Sequence, residues 1–393
     1  MSKFETYHWP GSPSAHGTDG PIHISEGPFG PTKLQGQFIK APARVGFPES
    51  VDLQNLDSNQ AVQRTLRFVS SDGIRQDAAH AYLQPRFQNG NDRNLFVLVE
   101  HEVVRVMVED TRVAGIEVRS NPVFQNSTQD HKIKASKMVV VSAGTLGTSM
   151  LLEQSGVGDR NVLSLAGVNV VVELPGVGMG LQDHNTMLVS YYSSLGSDET
   201  YDDILDGKTM YQKLLEQKSH LSLQYRNLIQ ALDGEIDMRT GILTDSAGFD
   251  LAMAMWLYKK QLEIVRRLNV YRGEVSALHR PFDVSSDAVC TKRSEPLPPD
   301  VKDMVYSAAD DAVLKEWVFE RLSQNWHAIG TCKMAPSGKE GVVDEDLSVY
   351  GVDGLKIADL SVVPVNLKAN LASMAFAIGE KTADIFALDL QRL

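Results

Sequence analysis

At 393 residues, with 42% hydrophobic and 22% charged residues, the chain can bury a large core and divides most naturally into two domains. Its formal net charge of -12 speaks against nucleic acid or an anionic membrane as the main partner, since either favours a basic face. Two cysteines, Cys290 and Cys332, cannot build a disulfide framework, so a reducing intracellular compartment is expected.

In chain order, residues 7–50 are rich in Gly, Pro and Ser and predict turns followed by short strands. A helical pattern is expected over 58–69, and strands over 94–99, 103–108 and 112–118. The run Lys137-Met138-Val139-Val140-Val141-Ser142-Ala143-Gly144 predicts a strand buried on both faces of a parallel sheet. A helix over 145–154 should follow it, closed by Ser155-Gly156. Helices are also expected over 199–233, 248–268 and 373–388. In the second of these, Phe249, Met253, Trp256, Leu257 and Leu262 form an apolar stripe read as core. Gly354 to Asp359 predicts a second parallel strand. No stretch reaches the roughly 18 apolar residues of a membrane helix, and Met1 to Thr6 has no signal-peptide core. The sequon at Asn126-Ser127-Thr128 carries little weight without one. The end, Gln391-Arg392-Leu393, matches the Ser-Lys-Leu peroxisomal address only loosely, leaving a cytoplasmic or peroxisomal setting.

Four segments carry chemistry. Gly144 to Gly158 is a strand-to-helix turn of small residues, which allows close backbone approach by a cofactor. Leu174 to His184 spaces Gly176, Gly178 and Gly180 like a dinucleotide fingerprint. Pro175 and the polar run Gln182-Asp183-His184 make it a loop instead, in which Asp183 or His184 serves equally well as a turn residue. His327 follows Trp326 ahead of the Gly330-Thr331 turn, and Asn370 follows Leu367-Lys368-Ala369. Imidazole, with an ordinary pKa of about 6.5, accepts a hydroxyl proton at neutral pH. A carboxamide donates to the same oxygen. The pair therefore suits alcohol oxidation, with a cofactor as hydride acceptor because no side chain takes a hydride. Asp359 ends a buried-type strand, where doubly wound sheets bind ligands, or else caps the turn there.

Together these segments closely resemble the second part of the glucose–methanol–choline (GMC) flavin oxidoreductases, most of all the alcohol (methanol) oxidase branch. The likeness also covers Phe4 to Tyr7, His16 to Ile22, Asp77 to Leu83, Gly351 to Pro364 and Ile378 to Ala383. The resemblance implies an α/β fold, α+β overall. A partial FAD-binding doubly wound domain would take residues 66–184 and 336–393. A reduced substrate domain of antiparallel sheet plus helices would take 1–65 and 185–335. It implies FAD as cofactor, His327 and Asn370 as the catalytic pair, and no metal. Val103 or Val104 would meet the adenine through the backbone, with Asp359, Leu360 and Leu371 against FAD. The implied reaction is hydride transfer from a primary alcohol to flavin, with oxygen as acceptor.

Three departures accompany the likeness. The family's first βαβ unit, with its Gly-rich turn, is absent from the sequence; part of the substrate sheet is expected to be deleted around 220–235; and Leu371 stands where Thr or Pro is usual. Expected partners are a small alcohol and oxygen, not nucleic acid or membrane, with a homo-oligomer or a complementing N-terminal chain restoring the sheet. The alternatives are a flavin-free, redox-neutral catalyst (isomerase or dehydratase) and a non-catalytic remnant.

Overall fold

Three consecutive valines set the architecture around the site. In the computed structural model, strand Val139–Val141 runs parallel to Leu355–Ile357 in the register Val139 to Leu355 and Val141 to Ile357. The structure describes residues 3–9, 15–28, 33–54, 60–88, 92–124, 128–196, 199, 240–367 and 370–392. The expected helix over 199–233 and the expected deletion around 220–235 lie outside the described residues, Glu199 aside.

The architecture is mixed α/β with small sheets, and the chain divides into two compact units. Described residues of the first lie within 1–88, 185–199 and 242–323; those of the second lie within 89–184, 240–241 and 324–392. The divisions at 88/89 and 323/324 differ from the expected 65/66 and 335/336, for a hydrogen-bonding reason. Ser25 and Arg67 exchange backbone bonds of 3.0 and 2.9 Å, tying 66–88 to the first unit. Cys332 N and Met334 N donate to Ser361 and Val362, tying 324–335 to the second.

In the first unit Glu5–Tyr7 pairs in parallel with Ile22–Ile24, and Tyr191–Ser193 antiparallel with Tyr271–Glu274. Helices Phe249–Val265 and Ala308–Arg321 pack around Ala254, Tyr258, Leu314, Trp317 and Val318. The Tyr258 and Trp317 rings meet edge-on at 5.3 Å. The expected core stripe of the first of these helices is overturned in four of five positions, because Phe249, Met253, Trp256 and Leu257 are exposed. The buried side is Ala254, Tyr258 and Leu262, one turn apart each time. No helix forms over 60–69 either: Val62, Arg67 and Val69 join bridges to Glu49, Ser25 and Arg75, and that pairing overrides the local pattern. Helix Lys33–Ala43 escaped the sequence reading, as did Ala308–Arg321. The latter is announced by a capping box in which Ser307 and Asp310 satisfy each other's backbone N–H.

The second unit holds the meander His101–Glu109, Arg112–Ser120 and Asp130–Lys134. Helix Gly144–Gln154 follows the valine strand, Val157–Gly158 pairs in parallel with Val172–Glu173, and helix Ala372–Arg392 closes the chain. Its core gathers Val106, Val113, Val141, Leu152, Leu355 and Ile357. Two sequence expectations fail here. Val140 is 41% exposed, so the valine strand is not buried on both faces. Residues 95–99 form no strand; they run irregular and exposed, from 36% at Leu95 to 86% at Phe96, because no neighbouring strand among the described residues pairs with them. Lys356 is buried on the strand Leu355–Ile357 and bonds Asp346 O and Ser348 Oγ at 3.1 Å, with Asp389 of the closing helix as ion-pair partner. No helix among the described residues is long and apolar enough to cross a membrane.

Two outcomes follow from this packing. Leu355 is fully buried, so Leu355→Ala should cost about 2–5 kcal/mol in denaturant unfolding. Ser307→Ala should cost about 1 kcal/mol. The Ser307 N–H and then its hydroxyl hold the Asp310 carboxyl below the usual carboxylate range. A depressed carboxyl stabilises above its unfolded pKa, so the Ser307→Ala penalty should shrink as the pH falls below about 4.

Candidate functional site

The irregular segment Asn325 to Met334 is held in place by backbone bonds on both sides. Asn325 N donates to His184 O at 2.8 Å, and Gln182 and Ile329 exchange bonds of 2.9 and 3.1 Å. Further along, Gly178 N donates to Thr331 O at 2.8 Å and Cys332 N to Ser361 O at 2.9 Å. Between these anchors Trp326 takes φ +59°, a left-handed conformation that an aromatic residue rarely adopts, and its side chain is 85% exposed. Strain of this kind persists only where the surroundings fix the backbone, and it is common at functional sites.

That geometry brings His327 and Asn370 together. Asn370 Nδ2 lies 3.3 Å from His327 Nε2, while Asn370 Oδ1 accepts from Ala372 N at 2.9 Å. The backbone bond fixes the oxygen end of the carboxamide, so its NH2 group faces the imidazole. The polar run read from sequence as a loop supplies the rest. Asp183 Oδ1 accepts from His327 N at 2.8 Å and from His184 N at 2.6 Å. His184 Nδ1 lies 2.8 Å from His327 Nδ1, the rings meeting edge-on at 5.0 Å, and His184 Nε2 donates to Leu367 O at 2.6 Å. Gln182 ties down the neighbouring loop, donating to Pro364 O and accepting from Asn366 N, both at 3.0 Å. Sequence reasoning read all three as loop, with Asp183 or His184 serving equally well as a turn residue; their signal was three polar side chains in succession beyond a glycine-rich loop.

Asp359 takes up the alternative that the sequence left open. Its Oδ1 accepts from Ser361 N at 2.8 Å, and its Oδ2 from Gly144 N at 3.0 Å and Thr148 Oγ1 at 2.5 Å. It thus caps one turn and locks the strand-to-helix turn beside it. Residues 142–144 at that turn are exposed, and a Cβ on Gly144 (φ +79°) would meet no atom within 4 Å. Leu371 is buried against Ile329 and Val363, with Leu360 half-buried at the same cluster. Val103 pairs with Val118 and Arg105 with Glu117, so Val104 falls in a bulge between them. The carboxamide of Asn366 has both polar ends buried without a hydrogen-bond partner among the described residues. No metal-binding group of His, Cys, Asp and Glu occurs among the described residues.

Against known proteins, the two GMC oxidoreductase family models match residues 2–186 and 226–379. Alcohol oxidase of Candida boidinii is 28% identical over 99% of this chain and 77% of its own length. Alcohol oxidase of Pichia angusta is 27% identical with the same coverage. Both alignments run over 517 positions against 393 residues here, so those relatives carry insertions within the matched span. Among solved structures, an FAD-dependent oxidoreductase from Chaetomium thermophilum superposes with a TM-score of 0.67 at 19% identity, covering 99% of this chain and 79% of the other. A fungal aryl-alcohol oxidase does so at 0.65 and 21%, covering 99% and 78%. The fold is therefore that of these flavoenzymes.

The Cys332 thiol offers a check on the crossing segment. Burial pushes Cys332 up to about 12 and Cys290 up to about 11. Thiolate is the reactive form, so iodoacetamide at pH 8 should leave both thiols unmodified in the folded chain and label both after denaturation, read by mass spectrometry.

Proposed function

The chain belongs to the GMC oxidoreductase family, and from that premise we propose that it oxidises a primary alcohol to an aldehyde, with FAD as cofactor and oxygen as the final acceptor. The observation that carries this reading is the contact of Asn370 Nδ2 with His327 Nε2 at 3.3 Å. A hydroxyl oxygen lying beside both groups takes the place of their direct contact, accepting from the carboxamide and donating its proton to the imidazole. His327 is then the catalytic base and Asn370 the group that orients the alcohol.

Three features of the chain suit FAD. The exposed turn at 142–144 is open to close approach, the Val104 bulge leaves backbone outside the ladder, and the unpartnered Asn366 carboxamide has bonding capacity to spare. Val103 or Val104 would meet the adenine through the backbone, and Leu360 and Leu371 would lie against FAD. Asp359 contributes through the turn it locks, since its carboxylate is already engaged. When bound, FAD supplies the hydride acceptor, which oxygen reoxidises with release of peroxide. The apolar run at 95–99 and Val140 are exposed, which suits a second copy of the chain packed against one or the other. Two unpaired thiols favour an intracellular setting.

The purified chain with added FAD should show flavin absorbance bands and convert a panel of primary alcohols to aldehyde and peroxide. In His327→Ala, turnover should fall by about 10²–10⁴-fold with the flavin bands unchanged. A folded chain that takes up no FAD overturns this reading in favour of redox-neutral or non-catalytic function, and unchanged turnover in His327→Ala overturns the assigned base.

A further inference from the structure

A base is competent only if the nitrogen facing substrate carries the lone pair, and an imidazole with two similar nitrogens needs something to decide which one does. Two independent contacts decide it here. A backbone carbonyl cannot donate, so the 2.6 Å contact to Leu367 O requires a proton on His184 Nε2. In a neutral ring that leaves His184 Nδ1 as an acceptor, and its partner at 2.8 Å, His327 Nδ1, must donate. From the other side, Ala372 N fixes the Asn370 oxygen and so turns its NH2 group towards His327 Nε2, which must accept. Both contacts give one tautomer for His327, with the proton on Nδ1 and the lone pair on Nε2. Asn325 Nδ2, 3.3 Å from the same Nδ1, then faces a donor as a donor, so the shorter 2.8 Å contact to His184 sets the proton and the Asn325 contact is no hydrogen bond in this tautomer.

We propose that His184 is a positioning residue that sets the tautomer and aim of the His327 base, with Leu367 O fixing His184 and Asp183 clamping the backbones of both histidines. The proposal rests on His327 being the base, and it adds a role to a loop whose glycine spacing imitates a nucleotide site. Asp183 acts through position alone, since its Oδ1 receives two backbone N–H groups, from His184 and His327. When His327 takes a substrate proton on Nε2, the proton on Nδ1 remains shared with His184, which spreads the positive charge over a second ring.

The test reads the tautomer directly, without cofactor. Long-range ¹⁵N–¹H correlation on the full chain, assigned with His327→Gln, should show His327 with a protonated Nδ1 and a pyridine-type Nε2. In His184→Ala, His327 should shift towards the form protonated on Nε2. His184→Asn, whose side-chain oxygen can accept near the position of Nδ1, should restore much of the original signature. In the FAD-loaded chain, His184→Ala should lower kcat by about 10–100-fold with KM changed less than about threefold, and His184→Asn should recover part of the loss. A wild-type His327 protonated on Nε2, or a tautomer indifferent to His184→Ala, overturns the proposal while leaving the base assignment standing. A tautomer that responds as expected in a chain where His327→Ala costs no activity sinks the oxidase reading instead and leaves the positioning contact intact.

Discussion

Everything at the candidate site depends on the crossing of residues 182–184 with residues 325–329. One antiparallel bridge, Gln182 to Ile329, joins two loops that are far apart in sequence. Asp183 and His184 then fasten to the imidazole-bearing residue from its backbone and from its ring. A histidine on a free loop samples several rotamers and both tautomers. Here the ordering of that side chain is accomplished by folding, so little entropy remains to be lost when substrate arrives. The left-handed Trp326 is the visible cost of forcing the chain through that crossing.

Behind the crossing, the paired strands Val139–Val141 and Leu355–Ile357 deliver two turns to one end of a small parallel sheet. Asp359 fastens them together through Gly144 N and Thr148. Core residues such as Leu152, Leu355 and Ile357 hold that arrangement from behind, all fully buried. Cys332, in the same segment as His327, is equally buried, which anchors the segment and silences its thiol. The site is thus the exposed rim of a rigid core, where side chains can be both ordered and accessible.

Elements with strong local signals were legible from sequence. The valine strand, the helix after it, the meander beginning at His101 and the closing helix all form within a few residues of expectation. The stretch at 60–69 shows the opposite case, where bridges to Glu49, Ser25 and Arg75 outweigh the local pattern. The stripe Phe249, Met253, Trp256 and Leu257 shows another. Periodicity finds an apolar face, but which face is covered depends on what packs there, and the covered positions are Ala254, Tyr258 and Leu262. The run at 95–99 has strand-like composition yet no partner among the described residues, and a strand needs a partner to exist.

The sequence by itself determined the family, the candidate pair His327 and Asn370, and the small-residue turn at Gly144, because these are carried by residue identity at short spacing. Tertiary structure alone decided that the pair meets within 3.3 Å, that Asp359 spends its carboxylate on neighbouring turns, and that Asp183 and His184 bond His327 as well as their own loop. The physical reason is separation along the chain. The contact between His184 and His327 spans 143 residues, and no local preference encodes a bond whose partners become neighbours only once the core has closed.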